Sequence, residues 1–197
     1  MNYLAHAWLS FKHPGILIGN MISDYVKGKK KFDYPERILQ GIMLHRQIDT
    51  YTDGHPATKE AKLFFKPFYG LYSGALIDVV YDHFLANDKD VFKNEDDLLT
   101  FERITCKTLN ENFDVLPERF KYMLPYMTTQ KWLSNYRFRW GIQQSFRGVA
   151  HRAKYIKESE IAFEIFNTNY YALKNCYYYF FKDVNHFTRN ETSTLLS

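Results

Sequence analysis

The chain has 197 residues and a formal net charge of +4, with 17 Phe, 16 Tyr and 3 Trp. That length suits one domain around a single ring-rich core, and its two cysteines, Cys106 and Cys176, stand in no disulfide-scaffold or zinc spacing. The mild charge permits an acidic partner but is too dispersed for a nucleic-acid binder. No apolar run nears the ~20 residues of a membrane span, so no membrane association is expected. His6 and His13 interrupt the first apolar run and no basic segment precedes it, so no signal peptide is expected and a cytoplasmic location is.

Helical periodicity runs almost throughout. Segments from about Asn2 to Phe11 and from about Ile16 to Lys27 open the chain, the second stopping at Gly28 and a run of three lysines, Lys29 to Lys31. Pro35 and Glu36 start a third helix that continues to about Tyr51 and is closed by Asp53-Gly54-His55-Pro56. Further helices are expected at about Ala57–Phe65, Tyr69–Ala86, Asn94–Asn112, Pro117–Met127, Gln130–Gly141, Ile142–Arg152 and Glu158–Lys182. No hairpin turn separates alternating runs. The expectation is an all-α, single-domain helical bundle over residues 1–187, with a polar tail at 188–197.

In the third helix, steps of 100° place His45 and Asp49 roughly 40° apart, with Ile42 on the same face. A stripe that should bury hydrocarbon therefore turns polar, and an unpaired buried carboxylate costs several kcal/mol. A divalent cation or a buried ion pair would offset that cost. The fifth helix repeats the pattern: Asp78 and Asp82 share a face, and His83 lies about 100° round from Asp82. His6 and Asp24 are further candidates, though His6 also suits a hydrogen-bonded core position and Asp24 a helix cap. His13, Asp53 and His55 fit loop and helix-ending roles as well. Imidazole and carboxylate donors without thiolate suit Mn²⁺, Mg²⁺ or Fe²⁺, or a hydrolytic Zn²⁺. Such a site activates water and neutralises phosphoryl charge, and Arg46 offers a phosphate contact or a plain surface ion pair. There is no glycine-rich phosphate loop, no Gly-x-Ser-x-Gly elbow and no His-Glu-x-x-His helix.

At these residues the chain resembles the acyl carrier protein phosphodiesterases. The matching blocks are Met1-Asn2-Tyr3-Leu4-Ala5-His6, Gly19-Asn20-x-x-x-Asp24-Tyr25-Val26-Lys27-Gly28, Gly41-Ile42-x-Leu44-His45-Arg46-x-Ile48-Asp49-x-x-Thr52-Asp53 and Asp78-Val79-x-x-Asp82-His83-Phe84-Leu85. Weaker matches reach Phe180-Phe181. The resemblance implies an all-helical, divergent branch of the HD-type metal-dependent phosphohydrolases. It implies hydrolysis of 4′-phosphopantetheine from holo-acyl carrier protein, with Mn²⁺ as the favoured ion. Carried over by position, the metal set is His6, Asp24, His45, Asp49, Asp82 and His83, with Asp24, Arg46 and Asp78 as catalytic candidates. The chain departs from the family where arginines are usual, carrying Lys59, Lys62 and Lys66, and later Arg147, Arg152 and Lys154. Lys29 to Lys31, Arg137, Arg139 and Arg147 are candidate docking residues for the acidic carrier, or ordinary solvated surface. Two alternatives stand beside this reading: hydrolysis of a nucleotide or other small phosphoester, and a non-catalytic binding protein built around an ion-pair network.

Overall fold

The computed structural model describes residues 1–153, 156 and 158–196, and every regular element among them is helical. The first helix, α1 (Tyr3–Trp8), is shorter than its apolar pattern predicts. Phe11 and Lys12 take φ values of 48° and 64°, which no helix continues through. Pro14 opens α2 (Pro14–Ile22), where its missing N–H costs nothing. A 3₁₀ turn, Ser23–Tyr25, then carries Asp24, and the lysine run forms a second, Gly28–Asp33.

Two long hairpin-like pairs follow. The third helix, α3 (Glu36–Gly54), meets α4 (Pro56–Tyr69) at His55, whose Nδ1 accepts from the Ala57 N–H and caps α4. After a turn at Gly70 (φ 49°), α5 (Ser73–Ala86) runs through the middle of the core. From Val79 to Ala86 it is buried on all sides. Next come α6 (Glu95–Glu111), α7 (Glu118–Thr129), α8 (Trp132–Asn135) and α9 (Arg139–Arg152). The chain ends in α10 (Glu160–Thr168) and α11 (Tyr170–Leu196).

Three boundaries differ from the periodic reading. The break expected at Gly141 falls at residues 136–138, and Gly141 lies inside α9. A Cβ there would stand 2.0 Å from the Asn135 carbonyl oxygen, so this glycine serves close packing. The helix expected over Glu158–Lys182 divides at Asn169. The polar stretch 188–196 continues α11 and is tied to α3: Gln47 Nε2 donates to Glu191 at 2.6 Å and Arg37 to the Leu195 carbonyl at 3.2 Å. Thr188 and Thr192 form its buried face.

The core has two parts. One surrounds α5 and is dense in rings, with Tyr81 stacked on Phe180 and Phe84 edge-on to Tyr170. The other joins α2 and α3 to Phe120, Leu124 and Met127 of α7. Between α2 and α3 the backbones nearly touch: a Cβ on Gly19 would lie 2.0 Å from the Ile38 oxygen, and one on Gly41 2.3 Å from the Ile16 oxygen. That approach brings residue 20 against residue 45. No helix among the described residues is long and apolar enough to cross a membrane.

Candidate metal centre

The polar end of the α3 stripe meets α1 and α2. His6 and His45 are buried and their rings stack, with centroids 3.9 Å apart and planes 17° from parallel. Asn20 of α2 fixes both. His45 Nδ1 donates to the Asn20 main-chain oxygen at 2.7 Å. The Asn20 amide nitrogen donates to the His6 carbonyl (2.9 Å) and to Ser10 Oγ (3.1 Å), which turns Oδ1 toward His6 Nδ1 at 2.8 Å. A proton on each Nδ1 leaves a lone pair on each Nε2 in the neutral rings. This is the usual support of a metal-binding histidine.

Both Nε2 atoms are buried and make no well-directed hydrogen bond. They stand close to carboxylates instead: His6 to Asp49 at 3.3 Å, and His45 to Asp49 at 3.1 Å and to Asp24 at 3.4 Å. One donor atom each from His6, His45 and Asp49 lies within 4.8 Å of the other two. Two orphaned buried nitrogens facing a shared carboxylate fit a divalent cation with mixed nitrogen and oxygen ligands. Asp24, largely exposed on its 3₁₀ turn, adds a carboxylate from the solvent side.

Charge is concentrated here. Burial lowers the His6 pKa to about 4, helped by the neighbouring His45. Burial opposes the His45 proton too, but Asp24 and Asp49 outweigh it and raise that group to about 9. Burial pushes Asp49 up, yet the Met1 ammonium and both imidazoles hold it well below the usual carboxylate range. The ammonium lies 3.4 Å from Asp49 and 3.0 Å from Asp78. Asp78 therefore borders the cluster through this cation, and burial raises its carboxyl.

The structure does not bring Asp82, His83 or Arg46 into the donor set. Asp82 accepts from the N–H groups of Leu4 (2.8 Å) and Ala5 (3.3 Å), closing the first turn of α1, whose Tyr3 N–H is taken by Asn2. Burial pushes its carboxyl up to about 7 against those two donors. His83, one position on, faces away. Its Nδ1 donates to the Tyr136 carbonyl at 2.7 Å, and its Nε2 accepts from the Tyr170 hydroxyl at 3.1 Å. Arg46 donates to the Val26 carbonyl at 3.0 Å and so steadies the turn that carries Asp24. Asp53 pairs with Lys62 and His55 with Asp183. His13 lies just before α2, and Lys154 falls outside the described residues. Asn20, which holds both imidazoles, is the residue of this cluster that periodicity misses. Its sequence signals are its presence in the Gly19-Asn20-x-x-x-Asp24 block and its place after Gly19, the point of closest helix approach.

Fold and cluster together define an all-helical protein with two buried histidines that face the partly buried Asp49 and the exposed Asp24, a donor set suited to a divalent cation. The chain belongs to the acyl carrier protein phosphodiesterase family, whose model matches residues 1–184. Relatives carrying that name include one from Enterobacter sp. (strain 638), 32% identical over 92% of this chain and 94% of its own. Another, from Yersinia pestis, is 30% identical over the same shares. One from Klebsiella pneumoniae subsp. pneumoniae is 29% identical over 97% of this chain and 99% of its own. No solved structure matches the chain significantly.

Proposed function

We propose that this protein is a metal-dependent phosphodiesterase that releases 4′-phosphopantetheine from holo-acyl carrier protein, with Mn²⁺ as its ion. The observation that carries this reading is the pair of imidazoles locked by Asn20 with both Nε2 atoms turned on Asp49. His6, His45 and Asp49 would hold the cation, with Asp24 beside them. A bound divalent ion supplies Lewis acidity toward the phosphoryl oxygens and acidifies water.

The chain's own groups orient the reaction. Water adds to phosphorus, the P–O bond to the carrier serine breaks, and the serine oxygen takes a proton. Asp24 is exposed, paired with His45, and held on a turn that Arg46 anchors, so it is the group placed to accept the proton of the incoming water. Asp78 balances the Met1 ammonium beside Asp49. Of the basic candidates, Arg137 and Arg147 already face Glu95 and Glu160, leaving the exposed Arg139 and the run Lys29 to Lys31, on the 3₁₀ turn that follows the one carrying Asp24, for the acidic carrier. The same reading makes the fold a divergent HD-type phosphohydrolase working in the cytoplasm.

Intact-mass spectrometry of holo-acyl carrier protein incubated with the chain and Mn²⁺ tests it. Loss of the phosphopantetheine arm is expected, and an unchanged carrier mass beside an active control would sink the proposal. One observation favours a second reading: Met1, Asp78, Asp49, His45 and Asp24 also form a continuous ion-pair network. A non-catalytic protein stabilised by that network would show no rise in melting temperature with Mn²⁺.

A further inference from the structure

A cavity of about 500 Å³, within the range of small-ligand sites, opens between the start of α1 and the α8–α9 corner. Its walls alternate rings with amides: Tyr3, Trp132 and Trp140 against Gln130, Asn135 and Gln144. Gln144 is exposed and its amide has no partner among the described residues. Arg152 adds a positive charge to the lining.

Tyr3 lines this cavity and belongs to the helix that carries His6. Tyr3 and His6 lie one turn apart on α1 and share a face. The Tyr3 hydroxyl meets that of Tyr25 at 2.8 Å, and Tyr25 follows Asp24, whose carboxylate stands 3.4 Å from His45.

We propose that this cavity receives the pantetheine arm of the substrate while its phosphate lies at the histidine–aspartate centre; the inference rests on the function proposed above. Pantetheine is a flexible chain in which two amides alternate with short aliphatic links. Each amide needs a donor and an acceptor, and each link an apolar wall. The ring-and-amide lining supplies both, and Arg152 gives a phosphorylated ligand a favourable approach.

The test is tryptophan fluorescence of the full chain titrated with pantetheine, with adenosine monophosphate in a parallel arm. A saturable change with pantetheine is expected, from the two lining tryptophans. Gly148→Leu should abolish it, because a Cβ there meets only Arg152 Nη1 at 3.6 Å and the side chain enters the cavity. In that variant kcat/KM on holo-acyl carrier protein, taken as a ratio to that on bis(p-nitrophenyl) phosphate, should fall at least about tenfold. Should leucine at 148 prevent folding, Gln144→Leu replaces it, since that position is exposed. No saturation at millimolar pantetheine, tighter binding of the nucleotide, or undiminished pantetheine binding by the variant overturns the assignment. A carrier left unprocessed by the parent chain would overturn the proposed function, while pantetheine binding would still decide the cavity.

Discussion

His45 Nδ1 donates to the main-chain oxygen of Asn20 across 2.7 Å, and the Asn20 side chain accepts from His6. One residue of α2 thus sets the tautomer and aim of two imidazoles from two other helices. Metal-binding strength should follow this support as much as the donors themselves.

Asn20→Ala removes the acceptor for His6 and the anchor of its ring. Affinity for Mn²⁺ should fall about 10–100-fold while helical content is kept. Calorimetric titration with Mn²⁺ measures it, and unchanged affinity would remove Asn20 from the site.

Gly19→Ala and Gly41→Ala test the helix contact that places Asn20. The added Cβ atoms would stand 2.0 Å and 2.3 Å from main-chain oxygens, so α2 and α3 must separate. A loss of about 1–3 kcal/mol is expected from overpacking, read from the midpoint of denaturant unfolding. Weaker Mn²⁺ binding should accompany it. Full stability in either variant would contradict the close approach.

Asp82 is assigned to the fold. Asp82→Ala leaves two buried N–H groups of α1 unpaired, and a stability loss on the order of 3 kcal/mol is expected. Measured below its melting point, the variant should still bind Mn²⁺. Loss of the ion from a fully folded variant would return Asp82 to the donor set.

His83 gives a pH signature. Burial lowers its pKa from 6.5 to about 4 in the fold, so between those values the unfolded chain binds the extra proton. Its contribution is full above pH 6.5 and is lost as pH falls toward 4, reaching about 3 kcal/mol. His6 shares this window, so the comparison is between the wild type and His83→Gln. Melting temperatures from pH 7 to 5 should fall more steeply in the wild type. Parallel slopes would contradict a buried, neutral His83.

The contrast between α3 and α5 shows what the sequence can carry. Spacing alone puts His45 and Asp49 on one face of α3, and the fold keeps them 3.1 Å apart. The same spacing rightly pairs Asp78 with Asp82, yet it cannot say what stands opposite. There the start of α1 presents the Met1 ammonium to one carboxylate and backbone N–H groups to the other. His83, turned about 100° further, meets α11 instead. Asn20 stayed hidden because its role exists only once two glycines let α2 and α3 touch. The helical class was legible in the periodicity, but the continuation of α11 past Phe187 was not, because its polar face is held by contacts to α3.

Whether His6, His45 and Asp49 hold a divalent cation is decided by Mn²⁺ binding, followed by electron paramagnetic resonance in the wild type and four variants. Binding is expected in the wild type, Asp82→Asn and His83→Gln, and should be lost in His45→Ala and Asp49→Ala. Absence of binding in the wild type, or undiminished binding in His45→Ala and Asp49→Ala, would rule out this donor set.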